Sequence, residues 1–240
     1  MLNQSFYLNH SENKYEDGQV LLIDKPYKWT SFDVIRSVRK LINIKKVGHA
    51  GTLDPLATGL LIVCTGKFTK RINEFMAQEK EYTGTITLGA TTPTFDLESA
   101  PVNNKDVSGI AAEQVHAATA QFTGNILQVP PMHSAIKKDG VRVYELARRG
   151  ESIELEPRKL FIRQFDIVSI EMPVLHFKVV CSTGTYIRSL ANDFGAALGC
   201  GGYLSSLRRT AIGNFRVENA VNMEELENQV RANMGGTQKG

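Results

Sequence analysis

The sequence predicts an α+β protein in which helices flank a mainly antiparallel, mixed sheet that carries one long inserted loop. Segments that alternate apolar and polar residues, as strands do, are intermixed with helical patterns but do not follow strict β-α-β order. The segment 128–151 is rich in turn residues, so a long loop with a short helix near 144–148 is expected there.

The first half of the chain begins with a polar stretch, residues 1–18, which we expect to be a flexible arm. Thr30 or Ser31 can cap a helix in which apolar residues recur at helical spacing up to Ile42. Glycines and a proline interrupt 45–59, so one regular element is excluded there. The predicted elements are a strand at 19–24, that capped helix, a buried strand at 59–66, a helix at 69–77, a strand at 81–92 and a helix at 106–122.

In the second half, two β-rich runs are separated by Pro173, and an amphipathic segment ends at Gly199, the usual helix terminator. The predicted elements are strands at 159–170 and 175–184, a helix at 185–199, a strand pair within 202–215 and a last helix at 220–231. Neither an internal repeat nor a low-complexity linker is evident, so we expect one domain.

Composition and cysteine usage narrow the class of protein. The longest apolar run, residues 60–64, is far shorter than the roughly 20 residues of a membrane span, and the N-terminus lacks the pattern of a secretory signal. Cys64, Cys181 and Cys200 are widely spaced, which argues against a disulfide framework or a zinc site. We therefore expect no membrane association and a cytoplasmic location.

Charge is concentrated in one segment of a chain whose formal net charge is only +3. Residues 25–71 contain ten Lys or Arg but only two acids, Asp33 and Asp54. Such a segment is typical of a surface that binds a polyanion, although a merely solvated basic surface would look the same.

Within that basic segment, GHAGTLDPLATG places a single carboxylate, Asp54, on a loop bracketed by Gly51 and Gly59. Pro55 favours an extended backbone at Asp54, and the surrounding cations are expected to keep the carboxylate ionised. The alternative is an Asp that only caps a turn. His49 precedes Asp54 in the same segment and is retained as a candidate, whereas the other histidines are scattered without metal-ligand spacing.

Four segments together resemble the TruB family of tRNA pseudouridine-55 synthases: 21–40, 45–70, 128–150 and 181–215. The resemblance implies the pseudouridine synthase catalytic fold over 19–233, with 128–151 as the RNA-contacting loop. It also implies isomerisation of uridine-55 in the T-loop of tRNA. The implied site residues are the catalytic Asp54, Tyr82 from KEYTG, Arg188 from GTYIRSL as the partner of Asp54, the pocket residue Leu207, the RNA-contacting His49 and the pocket-supporting Lys25.

The chemistry that the resemblance implies fits these residue types. A carboxylate can act covalently or as a base in breaking N1–C1′ and joining C5 to C1′, and no redox cofactor or metal is needed. An arginine can orient the carboxylate through a two-pronged pair, and a tyrosine ring can stack on the extruded base. We therefore expect neither a metal nor an organic cofactor.

The partner is expected to be the T-arm of tRNA, bound by a monomer. Many family members continue into a C-terminal RNA-binding (PUA) domain, and the acidic, helical residues after Arg209 do not fit one. RNA contacts are therefore expected from 25–71 and from the basic residues of the long loop, Lys137, Lys138, Arg148 and Arg149. Two other classes stay open, namely an RNA-binding protein without catalysis and a nucleoside hydrolase or glycosidase, although glycosidases generally use two carboxylates.

Overall fold

The protein is described here from a computed structural model that covers residues 14–132, 137–138, 141–142 and 155–235, with the backbone alone at 137–138, 141–142 and 233–235. Its central feature is a nine-stranded sheet. The strands are β1 (Val20–Lys25), β2 (Val47–His49), β3 (Ala57–Thr65), β4 (Lys80–Leu88), β5 (Gly124–Gln128), the hairpin β6 (Lys137–Lys138) and β7 (Val141–Arg142), β8 (Arg158–Glu171), β9 (Val174–Cys181), β10 (Gly202–Ile212) and β11 (Phe215–Arg216).

The main sheet runs in the order β1-β3-β10-β4-β9-β8-β5, with β2 beside β3 and β11 beside β10; β6 and β7 pair separately. Every pairing in it is antiparallel except that of β3 with β10, which is parallel. The predicted α+β class with a mainly antiparallel, mixed sheet is therefore confirmed.

The helices are α1 (Lys14–Asp17), α2 (Ser31–Ile42), α3 (Ile72–Met76), α4 (Ala112–Ala118), α5 (Ile187–Ala197) and α6 (Met223–Gly235). Thr30 caps α2 in a capping box with Asp33, as the sequence predicts in outline. The apolar face of α2 packs with α6 and strands β1 and β3, whereas α5 packs on a larger cluster around β4, β8 and β9.

Several predicted boundaries differ from the structure. Residues 14–17 of the expected flexible arm form α1, and burial of the Tyr15 ring anchors that helix. The predicted helix 106–122 begins only at Ala112, because the Asp106 carboxylate accepts hydrogen bonds from the amide and hydroxyl of Ser108 in a tight turn. The predicted helix 69–77 is a 3₁₀ turn, Gly66–Arg71, followed by the short α3.

Four of the described strands, β2, β5, β6 and β7, were not predicted. β2 lies inside the segment that the sequence analysis assigned as irregular, and β5 precedes the long loop. The hairpin of β6 and β7 lies within that loop, and the short helix predicted near 144–148 falls outside the described residues. The predicted strand pair within 202–215 is confirmed as β10 and β11.

Candidate active site

An open cavity of about 310 Å³ lies where the Asp54 loop meets β4, β10 and the start of α5. One wall is formed by residues of the sheet, and a second wall is formed by the segment 182–186, which precedes α5. The Asp54 loop completes the lining. The residues that contribute are Gly51, Thr52, Leu53, Asp54, Met76, Lys80, Tyr82, Leu207, Arg209 and 182–188. The cavity therefore collects side chains that are distant in sequence around one carboxylate.

Buried hydrogen bonds hold the Asp54 loop (residues 51–60) in shape. The Ser31 hydroxyl at the start of α2 accepts a hydrogen bond from the Leu53 amide at 2.9 Å and donates one to the Leu53 carbonyl at 3.2 Å. Arg209 donates from Nε to the Leu60 carbonyl at 2.8 Å and from Nη2 to the Gly51 carbonyl at 3.0 Å. One buried guanidinium thus joins the two ends of the loop.

Gly59 explains how closely the loop can approach the sheet. Its φ is +100°, and a Cβ added there would lie 2.3 Å from the Arg209 carbonyl oxygen. Only glycine meets both conditions, because side chains strain at such a φ and the neighbouring backbone has no room to move. The parallel pairing of β3 with β10 therefore depends on glycine at this position.

Lys25 joins the segment that follows β1 to the Asp54 loop. Its side chain is fully buried, and Nζ donates to the carbonyls of Pro26 at 2.9 Å, Trp29 at 2.5 Å and Pro55 at 3.4 Å. Burial lowers the pKa of Lys25 to about 8, while the nearby Asp54 carboxylate opposes that fall. Since no part of Lys25 is exposed, its side chain contacts the loop and not the open cavity.

Asp54 and Arg188 form a two-pronged ion pair at the floor of the cavity. Arg188 Nε lies 2.8 Å from Asp54 Oδ2, and Arg188 Nη2 lies 3.4 Å from Asp54 Oδ1. The Arg188 side chain is 5% exposed, whereas that of Asp54 is 37% exposed. The arginine is therefore built into the wall, and the carboxylate remains accessible to a molecule in the cavity.

A second carboxylate, Asp96, also lies near Arg188 and was not predicted. Its Oδ2 is 3.7 Å from Arg188 Nε, and Arg188 Nη1 donates to the Thr94 carbonyl at 3.3 Å. Asp96 is almost completely buried and does not line the main cavity. The expectation that Asp54 stands alone among cations is therefore wrong, because the fold brings the 92–96 segment to Arg188.

The electrostatic balance at Asp54 also differs from the sequence prediction. Burial raises the pKa of Asp54 above its ordinary value; the Arg188 guanidinium works against this rise, and the Asp96 charge adds to it. Cationic neighbours are visible in the sequence, whereas the burial of Asp54 is not. The structure supplies the cation, yet the loss of solvent outweighs it.

Tyr82 and Leu207 form the sheet wall of the cavity. Tyr82 pairs with Arg209 across β4 and β10, and Leu207 pairs with Ala57 across β10 and β3. Burial raises the pKa of Tyr82, opposed by the Arg209 cation, so the phenol stays protonated. The two side chains offer an aromatic ring and an apolar edge beside Asp54.

Lys80 and Arg209 are lining residues that the sequence analysis missed. Lys80 donates from Nζ to the carbonyl of Met76 and, at 2.6 Å, to that of Gln78. Burial lowers the pKa of Lys80 to about 8, and the Arg209 cation lowers it further. In the sequence Lys80 lies two residues before Tyr82 and Arg209 two residues after Leu207, so strand alternation puts each on the same face as a predicted site residue.

The other predicted contact residues lie away from the cavity or outside the described part of the chain. His49 ends β2 and does not line the cavity; burial lowers the pKa of its half-buried imidazole. The side chains of Lys137 and Lys138, and residues Arg148 and Arg149 entirely, fall outside the described residues.

Several cations of the basic segment 25–71 form ion pairs with acidic side chains. Arg36 pairs with Asp33 at 2.7 Å, Lys67 with Asp17 at 2.9 Å and Arg71 with Glu74 at 3.0 Å. Within the described residues, exposed cations of the segment without an acidic partner at ion-pair distance include Lys28, Lys40, Lys45 and Lys46.

The described residues contain neither a metal-ligand cluster nor a helix suited to crossing a membrane. No group of three or more His, Cys, Asp or Glu side chains there could hold a metal ion. Over the same residues, none of the helices has the length and apolar character needed to cross a membrane.

Comparison with known proteins identifies two family models that together cover most of the chain. The TruB family pseudouridylate synthase (N terminal domain) matches residues 39–187, and the tRNA pseudouridylate synthase B C-terminal domain matches residues 188–238. The boundary falls inside the first turn of α5, so Asp54 belongs to one match and its partner Arg188 to the other. Since β10 of the second match lies between β3 and β4 of the first, both contribute to one sheet.

Curated relatives give the same result. The tRNA pseudouridine synthase B of Flavobacterium johnsoniae is 53% identical over 225 residues, covering 91% of this chain and 98% of the relative. That of Phocaeicola vulgatus is 48% identical over 218 residues, covering 88% and 93%. Among solved structures, a chain of a Cbf5-Nop10-Gar1 complex matches with a TM-score of 0.73 and 29% identity, over 94% of this chain but 58% of that one.

Proposed function

We propose, for a chain that belongs to the TruB family of pseudouridylate synthases, that Asp54 is the carboxylate with which it isomerises uridine in tRNA. The chain is a tRNA pseudouridine synthase acting on uridine-55 of the T-loop. The observation that carries the assignment of Asp54 is its partly exposed carboxylate, fixed by the two-pronged contact with Arg188 at the floor of the cavity.

The reaction breaks N1–C1′ of uridine and joins C5 to C1′, while C5 loses a proton and N1 gains one. An ionised carboxylate serves this sequence as a nucleophile or as a base, and either role requires an oriented oxygen. Arg188 supplies that orientation, because its planar guanidinium engages both carboxylate oxygens. We assign Arg188 as a positioning residue and Asp54 as the catalytic one.

Tyr82 and Leu207 are proposed to hold the target base. A cavity of about 310 Å³ is of the size that accommodates one small ligand. A uridine inside a folded RNA must leave its stack to enter such a cavity, and an aromatic face compensates for part of the lost stacking. Tyr82, which stays protonated, supplies the ring, and Leu207 supplies the apolar edge.

Asp96 is proposed as a second positioning residue. Its carboxylate approaches Arg188 Nε, the atom that also contacts Asp54, and with the Thr94 carbonyl it helps to fix the guanidinium. A glycosidase would need its second carboxylate facing the same bond. Because Asp96 is almost completely buried and does not line the main cavity, isomerisation is favoured over hydrolysis.

We also propose the extent, the oligomeric state and the location of the active enzyme. Residues 19–233 are proposed to act as one catalytic unit that works as a monomer in the cytoplasm on the T-arm of tRNA. His49 and the long-loop residues Lys137, Lys138, Arg148 and Arg149 are proposed RNA contacts. The three cysteines, all free and buried, suit a reducing compartment. Light scattering of the purified chain measures its molar mass in solution and so tests whether it is a monomer.

An unmodified tRNA transcript distinguishes the three classes of function. The chain should convert uridine-55 to pseudouridine without change of mass, in excess EDTA with monovalent salt keeping the RNA folded. Release of free uracil would indicate a hydrolase, and binding without any product would indicate an RNA-binding protein. Activity that disappears in EDTA and returns with a divalent cation would contradict the metal-free reaction.

A further inference from the structure

Two exposed aromatic rings lie beside the Asp54 loop. Tyr27 is 54% exposed and Phe32 is 61% exposed, although Trp29 between them is partly buried against the core. Neither exposed ring is needed for the core contacts of α2, because its inward face is already formed by Val34, Ile35, Val38 and Ile42. Large exposed aromatics with no packing role are candidates for a contact surface.

Cations are interleaved with these rings. The Lys28 ammonium lies 5.7 Å from the centre of the Tyr27 ring. Arg36 and Lys40 follow Phe32 at intervals of four residues, so all three occupy one exposed stripe of α2. We call Tyr27, Lys28, Phe32, Arg36 and Lys40 the Tyr27 surface.

The Tyr27 surface is attached to the residues on both sides of Asp54. The Lys28 amide donates to the Pro55 carbonyl at 2.9 Å, and the Ser31 hydroxyl bonds both backbone groups of Leu53. Lys28 itself has a φ of +66°, which turns the chain between β1 and α2 and presents Tyr27 outward. These bonds set the position of the surface relative to the catalytic loop.

We infer that the Tyr27 surface binds unpaired nucleotides of the substrate RNA that neighbour the target uridine. This inference rests on the proposed function. When one base leaves its stack, the nucleotides beside it lose a stacking partner, and an aromatic ring can replace that partner. Rings interleaved with Lys and Arg are what single-stranded nucleic acid requires, because the rings stack on bases and the cations neutralise phosphates.

The charge of the surface favours RNA over a protein partner. Asp33 of the same helix is engaged with Arg36 and with the cap of α2, and within the described residues Lys28 and Lys40 have no acidic partner at ion-pair distance. A protein interface core is typically depleted of charge, whereas an RNA surface is polar and positive.

The test measures RNA binding separately from turnover. The chain carrying Asp54→Asn is titrated with a T-arm stem-loop RNA that bears the fluorescent base 2-aminopurine next to the target uridine. Adding Tyr27→Leu and Phe32→Leu keeps apolar surface but removes the rings. We expect affinity to fall about tenfold or more and the stacking-dependent quenching of 2-aminopurine to be lost.

Two controls accompany that variant. Tyr27→Phe keeps a ring and should retain affinity, whereas Val168→Ala, at an equally exposed apolar site on β8, should change nothing. Thermal unfolding checks that each variant folds.

Unchanged affinity and quenching in the double leucine variant would overturn the inference. A variant that binds RNA normally but loses self-association in sedimentation would assign the surface to a protein contact and would also overturn it. Because turnover is absent from this measurement, failure of the unmutated chain to isomerise uridine would refute the proposed function without affecting the binding result.

Discussion

The Asp54 loop and the Tyr27 surface are neighbours joined by hydrogen bonds, yet they are built in opposite ways. The loop is held by groups that are almost completely buried, namely Ser31, Lys25, Arg188 and Arg209. The surface presents rings and cations to solvent and takes part in few contacts. We therefore expect catalysis to depend on a few buried contacts, and RNA binding to be distributed over many weak ones.

The physical reason is the environment of the charges. Removing one partner of a buried ion pair leaves the other charged and desolvated, which costs about 3–5 kcal/mol. An exposed ion pair contributes roughly 0–1 kcal/mol and is screened by salt. Substitutions in the two regions should therefore differ in size, in the kinetic parameter they change and in their dependence on salt.

The largest effect is expected from Asp54→Asn. Asn keeps the shape of the side chain but cannot act as nucleophile or base, so isomerisation should fall by about 10³-fold or more. RNA affinity and the unfolding temperature should change little. Single-turnover assays, with mass spectrometry to exclude deamidation back to Asp, measure the loss, and residual activity above a few per cent would contradict the catalytic role.

Arg188 should be the next most sensitive position. Arg188→Ala removes the guanidinium that orients the Asp54 carboxylate, and because misplacing a reacting group can cost about 10²-fold or more, activity should fall by about 10²–10³-fold. Arg188→Lys keeps the charge but not the planar fork, so it should lose less. Comparing kcat and KM for both variants tests the pairing, which is wrong if either turns over like the unmutated chain.

Asp96→Asn should shift the pH profile more than the maximal rate. The activity of the unmutated chain should fall as pH decreases through the raised pKa of Asp54, because the carboxyl becomes protonated and inactive. Removing the Asp96 charge removes one cause of that elevation and frees Arg188 for Asp54. The acidic limb of kcat/KM should therefore move to lower pH, and a limb that stays in place or moves upward would argue against coupling through Arg188.

The smallest effect on turnover is expected from neutralising surface cations. Replacing Lys137, Lys138, Arg148 and Arg149 together by Gln should weaken binding to many RNAs and reduce the salt slope by about 0.7–0.9 for each phosphate that is no longer neutralised. Turnover at saturating tRNA should persist, because the cavity is unchanged. An unchanged affinity and salt slope would show that these charges are merely solvated.

Site residues could be predicted where a distinctive motif surrounds them in the sequence, and could not where their role depends on a contact with a distant segment. The loop around Asp54 has a local signature of glycines, threonines and a proline, and Thr30 precedes α2 as a cap, so both could be located from the sequence. Asp96 lies in a segment without a distinctive pattern, and only the placement of that segment against α5 reveals its contact with Arg188. Helix ends were less accurate, because side-chain turns such as that of Asp106 compete with the helix.

The sequence by itself determined the fold class, the family resemblance and the identity of the carboxylate loop, because periodicity and motif spacing are properties of the chain. Tertiary structure alone decided which charges act together. It buried Lys25 completely and used Arg209 to join the two ends of the Asp54 loop. It also placed Asp96 beside Arg188 and raised the pKa of Asp54 despite its cationic neighbours. Burial and distance set the strength of a charge interaction, and both arise only when segments far apart in sequence are packed together.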